Sequence, residues 1–304
     1  MHARLPDRPG RKKAQVSASA ELELMQAHRR ELDEVARKSG ALVTGVADAN
    51  AFTAAMEGQR PTDLLPDCKT VFVLGGAQPR AGDWKSPSYR HMETTSTSDR
   101  VTAMGNRVAQ HIERKCGYYA VTIPPGVDRA RRPFLNIALA AELAGCGSPS
   151  LAGPVLHPEH GFMYYTAVLT TLPLPVDGPL AEPVCPAPEC VSMWNEAGTT
   201  PCMATCPIDE GGCLGGRIED GRLKERRYDV ARCTTRVHTT FIPGFQKALE
   251  AVFDEPEKEK RKMILYSTQF TRTLWSMSYS NVSQGQCFEC MRVCPVGSKQ
   301  RSLR

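Results

Sequence analysis

The stretch Cys287-Phe-Glu-Cys290-Met-Arg-Val-Cys294-Pro295, close to the C-terminus, shows how this chain uses its cysteines. An earlier segment, Cys202-Met-Ala-Thr-Cys206-Pro207, also ends in Cys-Pro after a three-residue gap. The bacterial ferredoxin pattern C-x2-C-x2-C-x3-C-P has the same ending, and its last cysteine binds the other of two clusters. The two segments therefore predict two [4Fe–4S] clusters that exchange their final cysteine ligands.

Two such clusters need eight thiolates, and nine cysteines lie between residues 185 and 294. The predicted ligands of one cluster are Cys206, Cys233, Cys287 and Cys290, and those of the other are Cys185, Cys190, Cys202 and Cys294. Cys213 is left over, and it could replace Cys185 or Cys190, because the gaps in the first motif are irregular. Zinc is the alternative metal, since it also binds four thiolates.

The remaining composition is that of a soluble globular protein. The chain has 304 residues, 41% of them hydrophobic, and a formal net charge of +5, which does not demand a nucleic-acid partner. No apolar segment resembling a secretory signal follows the basic N-terminus, and the apolar stretches are too short to span a membrane. We expect a cytoplasmic protein whose first 18 residues form a disordered tail. In a reducing compartment, disulfides are not expected, and the scattered Cys68, Cys116 and Cys146 are expected to be ordinary core residues.

Apolar patterning in the first half predicts helices that alternate with strands. Helices are expected at residues 19–39, 48–57, 98–116 and 133–144, and strands at 41–47, 69–75, 118–123 and 163–171. Such an alternation is typical of a layered α/β or α+β domain. We place this domain at residues 19–180 and the cluster domain at 181–304, with a Pro-, Gly- and Cys-rich connection at 172–215. A helical segment is expected at 244–264, with a break at Pro256.

The order of cysteine segments, including the lone Arg232-Cys233 between the Cys-Pro motifs, resembles that of epoxyqueuosine reductases and reductive dehalogenases. Three apolar stretches resemble segments of the same families: Leu64–Val73 (LLPDCKTVFV), Leu139–Gly147 (LAAELAGCG) and Tyr165–Leu174 (YTAVLTTLPL). The resemblance implies an α+β chain with a nitroreductase-like cofactor domain, followed by a ferredoxin-like domain with two clusters. At the position where epoxyqueuosine reductases carry a catalytic aspartate, however, this chain has Arg131, with Asp128 nearby.

Because these families depend on cobalamin, the resemblance implies a cobalamin-dependent reductase that removes a halide or an epoxide oxygen. The cofactor is expected where the two domains meet, against Gly145, Gly147, Gly153, His157, His160 and Gly161. Proton donors are expected among Tyr164, Tyr165 and Asp128; because the two tyrosines are adjacent on a strand, one of them should be packed in the core. The expected partners are a small-molecule substrate and a low-potential electron donor such as ferredoxin or flavodoxin, with no membrane and with nucleic acid unlikely. Two alternatives stay open: a non-catalytic electron-transfer protein, or corrinoid-protein activator, and a reductase that uses flavin.

Overall fold

The computed structural model describes residues 18–77, 94–125, 134–208, 211–229, 232–233, 242–268, 270–271 and 289–301. Two residues of the predicted site, Asp128 and Cys287, lie outside these ranges, as do residues 1–17 of the expected tail. In the described part of the chain, no helix is long and apolar enough to cross a membrane.

A four-stranded antiparallel sheet forms the centre of the first half. Its strands are β1 (Val43–Asp48), β2 (Thr70–Gly76), β3 (Ala120–Ile123) and β7 (Tyr164–Thr170), in the order β1-β2-β7-β3. The register pairs Val73 with Gly45 on one side and with Ala167 on the other. The sheet therefore belongs to an α+β arrangement in which every neighbouring pair of strands is antiparallel.

Helices cover both faces of this sheet, which is unusual for an antiparallel sheet because one of its faces commonly meets water. Helices α1 (Ala18–Lys38) and α3 (Thr94–His111) pack on the face that carries Phe72 and Leu74. Helix α4 (Ile137–Leu143) packs on the opposite face, against Val71 and Val73. Both faces are apolar, so β2 and β7 are buried along their whole length.

Several short elements lie around the main sheet, and a small second sheet connects it to the cysteine-rich part. Helix α2 (Pro61–Leu64) precedes β2, and a π-helical turn (Ile112–Cys116) follows α3. A small antiparallel sheet of β4 (Ser148–Pro149), β5 (Val155–His157) and β6 (Gly161–Phe162) lies between α4 and β7. Its residues Leu156 and Phe162 belong to the same apolar core as the cysteines, so this small sheet is where the two halves meet.

Among its described residues, the cysteine-rich half contains helices and one hairpin. Its helices are α5 (Pro188–Ala197), α6 (Pro201–Ala204), α7 (Ile242–Asp254), α8 (Lys258–Leu265), α9 (Glu289–Arg292) and α10 (Ser298–Arg301). The hairpin joins β8 (Leu214–Glu219) to β9 (Arg222–Tyr228). Its turn uses Asp220 and Gly221 at φ of 50° and 72°, and Asp-Gly is a strong hairpin signal because both turn residues need a positive φ.

Most predicted elements of the first half exist, with ends shifted by a few residues. The segment 48–57 differs, because it contains only a 3₁₀ turn at Ala49–Ala51. The stretch 172–215 also differs, because it holds α5 and α6 as well as irregular chain. The break at Pro256 is confirmed, since α7 ends at Asp254 and α8 starts at Lys258.

Candidate functional site

Four cysteine side chains, Cys185, Cys190, Cys202 and Cys294, line one cavity together with Leu151 and Met291. Cys190 lies in the first turn of α5 and Cys202 in α6, while Cys294 comes just after α9. The hydroxyl of Thr200 caps α6 by accepting a hydrogen bond from the Met203 amide. This cap fixes the short helix that carries Cys202. The first thiol group therefore contains the four cysteines that were predicted as ligands of one cluster.

A second thiol group lies next to the first and contains Cys206, Cys213, Cys233 and Cys290. The other three thiols lie close enough to Cys213 to raise its pKa. The sulfur atoms of Cys206 and Cys213 are 3.5 Å apart. Three of these residues were predicted ligands of the second cluster, and the fourth predicted ligand, Cys287, lies outside the described residues. Cys213, which could replace Cys185 or Cys190 by the sequence, lies in the second group against Cys206.

The final cysteine of each Cys-Pro motif lies with the other motif. Cys294 lies close to Cys185 and Cys202, although about 100 residues separate them in the chain. Cys206, in turn, lies with Cys233 and Cys290 rather than with Cys185 and Cys190. Contact between α6 and α9 produces this exchange, since each short helix carries one motif. Both groups share a single apolar core.

Hydrogen-bond donors point at several of these sulfur atoms. The amide of Leu151 donates to Cys185 Sγ at 3.5 Å, and the amide of Cys213 donates to Cys206 Sγ at 3.3 Å. The hydroxyl of Thr200 lies 3.2 Å from Cys202 Sγ. Donors of this kind stabilise thiolate sulfur and tune the potential of a bound metal.

Desolvation makes the uncharged thiol the favoured form of these cysteines when no metal is bound. Burial raises the pKa of Cys190 to about 11 and that of Cys294 to about 12. Burial also raises the pKa of Cys185 and Cys202. Because metals bind the thiolate, a metal that enters these sites must displace protons.

Three of the four glycines predicted to contact a cofactor instead pack against the protein backbone. A Cβ atom on Gly145 would lie 2.5 Å from the carbonyl oxygen of Gly178, and one on Gly147 would lie 2.4 Å from that of Leu156. A Cβ atom on Gly161 would lie 2.5 Å from the carbonyl oxygen of Val296. These glycines are therefore required by close approaches within the chain, and only Gly153 lines an open cleft.

The two predicted histidines form a compact turn at the end of β5. Their rings stack with centroids 4.8 Å apart, and His157 Nδ1 accepts hydrogen bonds from the amides of Glu159 and His160. Burial and the neighbouring His160 lower the pKa of His157. The hydrogen bonds to Nδ1 hold this turn together, and Glu159 accepts a hydrogen bond from the Gln300 side chain of α10 at 3.3 Å.

The adjacent tyrosines of β7 point to different cores, as their alternation predicted. The Tyr165 hydroxyl donates to the carbonyl oxygen of Cys146 at 3.0 Å, and burial raises its pKa well above the usual range. Tyr164 faces the core of the cysteines and contacts Phe162 edge to face. Both residues also border a cleft of about 250 Å³, which Gly153 and Tyr228 line as well.

Neither Tyr228 nor the contact between Cys213 and Cys206 was predicted from the sequence. Both depend on the β8–β9 hairpin. The Asp220-Gly221 dipeptide was the sequence signal that could have predicted this hairpin.

The cysteines of the first half lie away from this site. Cys68 and Cys146 are buried in the core between the sheet and α4. Cys116 lies 3.4 Å from His28 Nδ1, and the neighbouring Glu31 lies 2.9 Å from His111 Nε2. His28, Glu31 and Cys116 could hold a metal ion, but the pairing of His28 with Cys116 and of Glu31 with His111 also explains how α1 is joined to the end of α3.

No protein-family model and no curated protein matches the sequence. Solved structures do match this chain, at the level of the fold. One is epoxyqueuosine reductase from Bacillus subtilis, with a TM-score of 0.55 and 17% identity over 92% of this chain and 68% of that chain. Another is an epoxyqueuosine reductase bound to an epoxyqueuosine-modified tRNA-Tyr stem loop, with a TM-score of 0.55 and 19% identity over the same shares.

In its fold, this chain is similar to epoxyqueuosine reductases. The resemblance seen in the sequence is thereby confirmed at the level of the fold. A catabolic reductive dehalogenase in complex with 3-bromo-4-hydroxybenzoic acid is more distant, with a TM-score of 0.47, 18% identity and 36% of its own length covered. That likeness is too weak to support a conclusion about this chain.

Proposed function

We propose that this protein is an iron–sulfur reductase, in which two [4Fe–4S] clusters deliver single electrons to the cleft beside Tyr164. The observation that carries the proposal is the exchange of final cysteines: Cys294 joins Cys185 and Cys202, and Cys206 joins Cys233 and Cys290. An exchange of this kind brings two thiolate sites close together. Close sites favour electron transfer, whereas two independent structural zinc sites have no need of it.

The chemistry of the donors fits this metal. The first site presents four thiols in an apolar cavity, and amide or hydroxyl groups lie close to their sulfurs. Thiolate ligands, hydrogen bonds to sulfur and burial are the features by which proteins adjust the potential of such clusters. We assign Cys206, Cys233, Cys287 and Cys290 to the second cluster. Cys287 enters this set from the sequence motif alone.

The cofactor served by the clusters is proposed from the resemblance. Bound cobalamin would supply a cobalt centre that is reduced one electron at a time, and a flavin is the alternative. The described walls of the cleft enclose about 250 Å³, slightly less than the roughly 300–1,000 Å³ of small-molecule sites. Tyr164, which borders this cleft, is the proposed proton donor. Tyr165 is already bonded to a backbone carbonyl.

The proposed substrate is a small molecule that loses a halide or an epoxide oxygen. Nucleic acid was an unlikely partner from the sequence, but the tRNA stem loop in one similar structure speaks against that expectation. A tRNA substrate is therefore part of the proposal, and binding of a tRNA stem loop tests it.

Electrons could enter at Cys185, which borders an outer cleft of about 570 Å³ next to Arg222, Lys224 and Arg226 of β9. The cleft is also lined by Glu142 and Glu225, and Arg222 lies 3.8 Å from Glu182. Because three exposed cations of β9 border the cleft of a proposed cluster ligand, we propose that an acidic donor such as ferredoxin or flavodoxin docks there.

Metal analysis and cofactor titration test this function. Anaerobically reconstituted protein should contain about eight irons per chain, four in each cube, and it should bind cobalamin or flavin mononucleotide. Stoichiometric zinc would refute the two-cluster assignment. If neither cofactor binds more tightly than about 100 μM, roughly −5.5 kcal/mol, the non-catalytic electron-transfer function replaces the reductase.

A further inference from the structure

Cys213 makes two contacts with a single sulfur atom. Its backbone amide donates a hydrogen bond to Cys206 Sγ at 3.3 Å, and its own sulfur lies 3.5 Å from the same atom. Cys206 is a proposed ligand of the second cluster, whereas Cys213 has no role in that assignment. Nine cysteines lie between residues 185 and 294, and two cubes need eight. With Cys287 assigned to the second cluster from its motif, Cys213 is the thiol in excess.

The position of Cys213 is set by the surrounding backbone. Gly211 and Gly212, with φ of 89° and 69°, turn the chain around Cys206, and a Cβ on Gly212 would lie 3.1 Å from the Cys206 sulfur. The carbonyl of Cys213 accepts a hydrogen bond from the Asp229 amide at 2.8 Å. Since these contacts hold both sides of the residue, the thiol is placed against Cys206 by the β8–β9 hairpin itself.

The geometry distinguishes a donor from a ligand. Each iron of a cube takes one thiolate, so ligand sulfurs sit at separate corners and do not touch. Cys213 Sγ instead lies 3.5 Å from Cys206 Sγ, which is the separation of a hydrogen-bond donor and its acceptor when sulfur is involved. The amide of Cys213 points at Cys206 Sγ, which marks Cys206 as the electron-rich acceptor. The Cys213 thiol can then donate its weakly acidic hydrogen to the same acceptor.

We propose that Cys213 is a positioning residue of the second cluster, whose thiol and amide both donate to the Cys206 sulfur and so raise the reduction potential of that cluster. Reduction adds negative charge to the cluster and its ligand sulfurs. A donor hydrogen bond stabilises that charge more strongly in the reduced form than in the oxidised form. This inference rests on the proposed function, because it requires a cluster bound to Cys206.

The test compares Cys213→Ala and Cys213→Ser in the full-length, iron-reconstituted protein. Cys68→Ala is the matched control, since Cys68 is also a buried thiol but lies in the core of the sheet. Iron content is measured first, and the potentials of both clusters are then followed by EPR-monitored redox titration. All variants should keep the wild-type iron content. Cys213→Ala should lower the potential of one cluster, Cys213→Ser should restore it at least in part, and Cys68→Ala should change neither cluster.

Two results would overturn the proposal. Loss of about half of the iron from Cys213→Ala would show that the thiol is needed to hold the cluster, which a donor is not. Unchanged potentials in Cys213→Ala, with full iron, would show that the thiol does not tune the cluster. Failure of the proposed function is visible separately, because wild-type protein that takes up zinc instead of iron would remove the cluster before any variant is compared.

Discussion

Gly161 is a residue at which one added methyl group should disturb the contact between the two halves of the protein. It lies in β6 at a φ of 68°, and an added Cβ would meet the Val296 carbonyl oxygen at 2.5 Å and Gly297 Cα at 3.1 Å. Val296 comes two residues after Cys294. We therefore expect Gly161→Ala to push the second Cys-Pro segment away from the small sheet and to weaken the site that contains Cys294.

The expected destabilisation has two parts. An L-residue in the left-handed region costs roughly 1–2 kcal/mol, and forcing extra volume into a packed contact costs about 1–3 kcal/mol more. Gly198 provides a matched control, because its φ is 64° but a Cβ there would meet nothing within 4 Å. Gly198→Ala carries only the first part, so the difference between the two variants measures the close approach.

Thermal melting and iron analysis of the reconstituted proteins provide the assay. The melting temperature of domains of roughly 150–250 residues shifts by about 2–4 °C per kcal/mol. Gly161→Ala should therefore melt several degrees below Gly198→Ala. It should also lose iron towards half of the wild-type content, while Gly198→Ala keeps its iron. Equal melting temperatures in the two variants would refute the close contact between Gly161 and Val296. A lower melting temperature with full iron would refute only the link to the Cys294 site.

Three further results are expected. Cys294→Ala and Cys206→Ala should each remove the EPR signal of one cluster, and a different one in each case; a variant that keeps both signals would disprove the exchange of final cysteines. Tyr165→Phe should destabilise the protein by about 1–3 kcal/mol in chemical denaturation, because the buried carbonyl of Cys146 loses its donor, and an unchanged midpoint would contradict this. Deleting residues 1–17 should leave the iron content and the melting temperature nearly unchanged, since that sequence has no apolar periodicity, and a large loss would show that the segment packs on the body.

The part of the site that could be predicted from sequence is the part fixed by spacing. A three-residue gap before Cys-Pro constrains where the last sulfur can go, and the motif therefore predicted the grouping of Cys294 with Cys185 and Cys202. Strand periodicity likewise predicted that Tyr164 and Tyr165 face opposite ways. Both patterns act over a few residues, where local geometry is decided by the chain itself.

The parts that sequence did not predict depend on contacts between distant segments. Gly147 looked like a cofactor glycine, but its neighbour is the carbonyl of Leu156, reached through the pairing of β4 with β5. Cys213 was left open as a substitute for Cys185 or Cys190 because the gaps of the first motif are irregular. Sequence spacing could not show that the β8–β9 hairpin holds it against Cys206. In both cases the residue type was informative, but its partner was set by tertiary packing.

The small sheet of β4, β5 and β6 connects the thiol sites to the four-stranded sheet. The loop after β4 supplies the Leu151 amide to the Cys185 sulfur, and Ser148 in β4 accepts a hydrogen bond from the Val184 amide at 2.7 Å. At the other end, β6 receives the backbone of Val296 against Gly161. Both cysteine segments of the first site are thus held by the strands that lead into β7, and β7 carries Tyr164. The same backbone therefore positions the thiols and the cleft, so the distance between them is set by the fold and does not depend on a flexible connection.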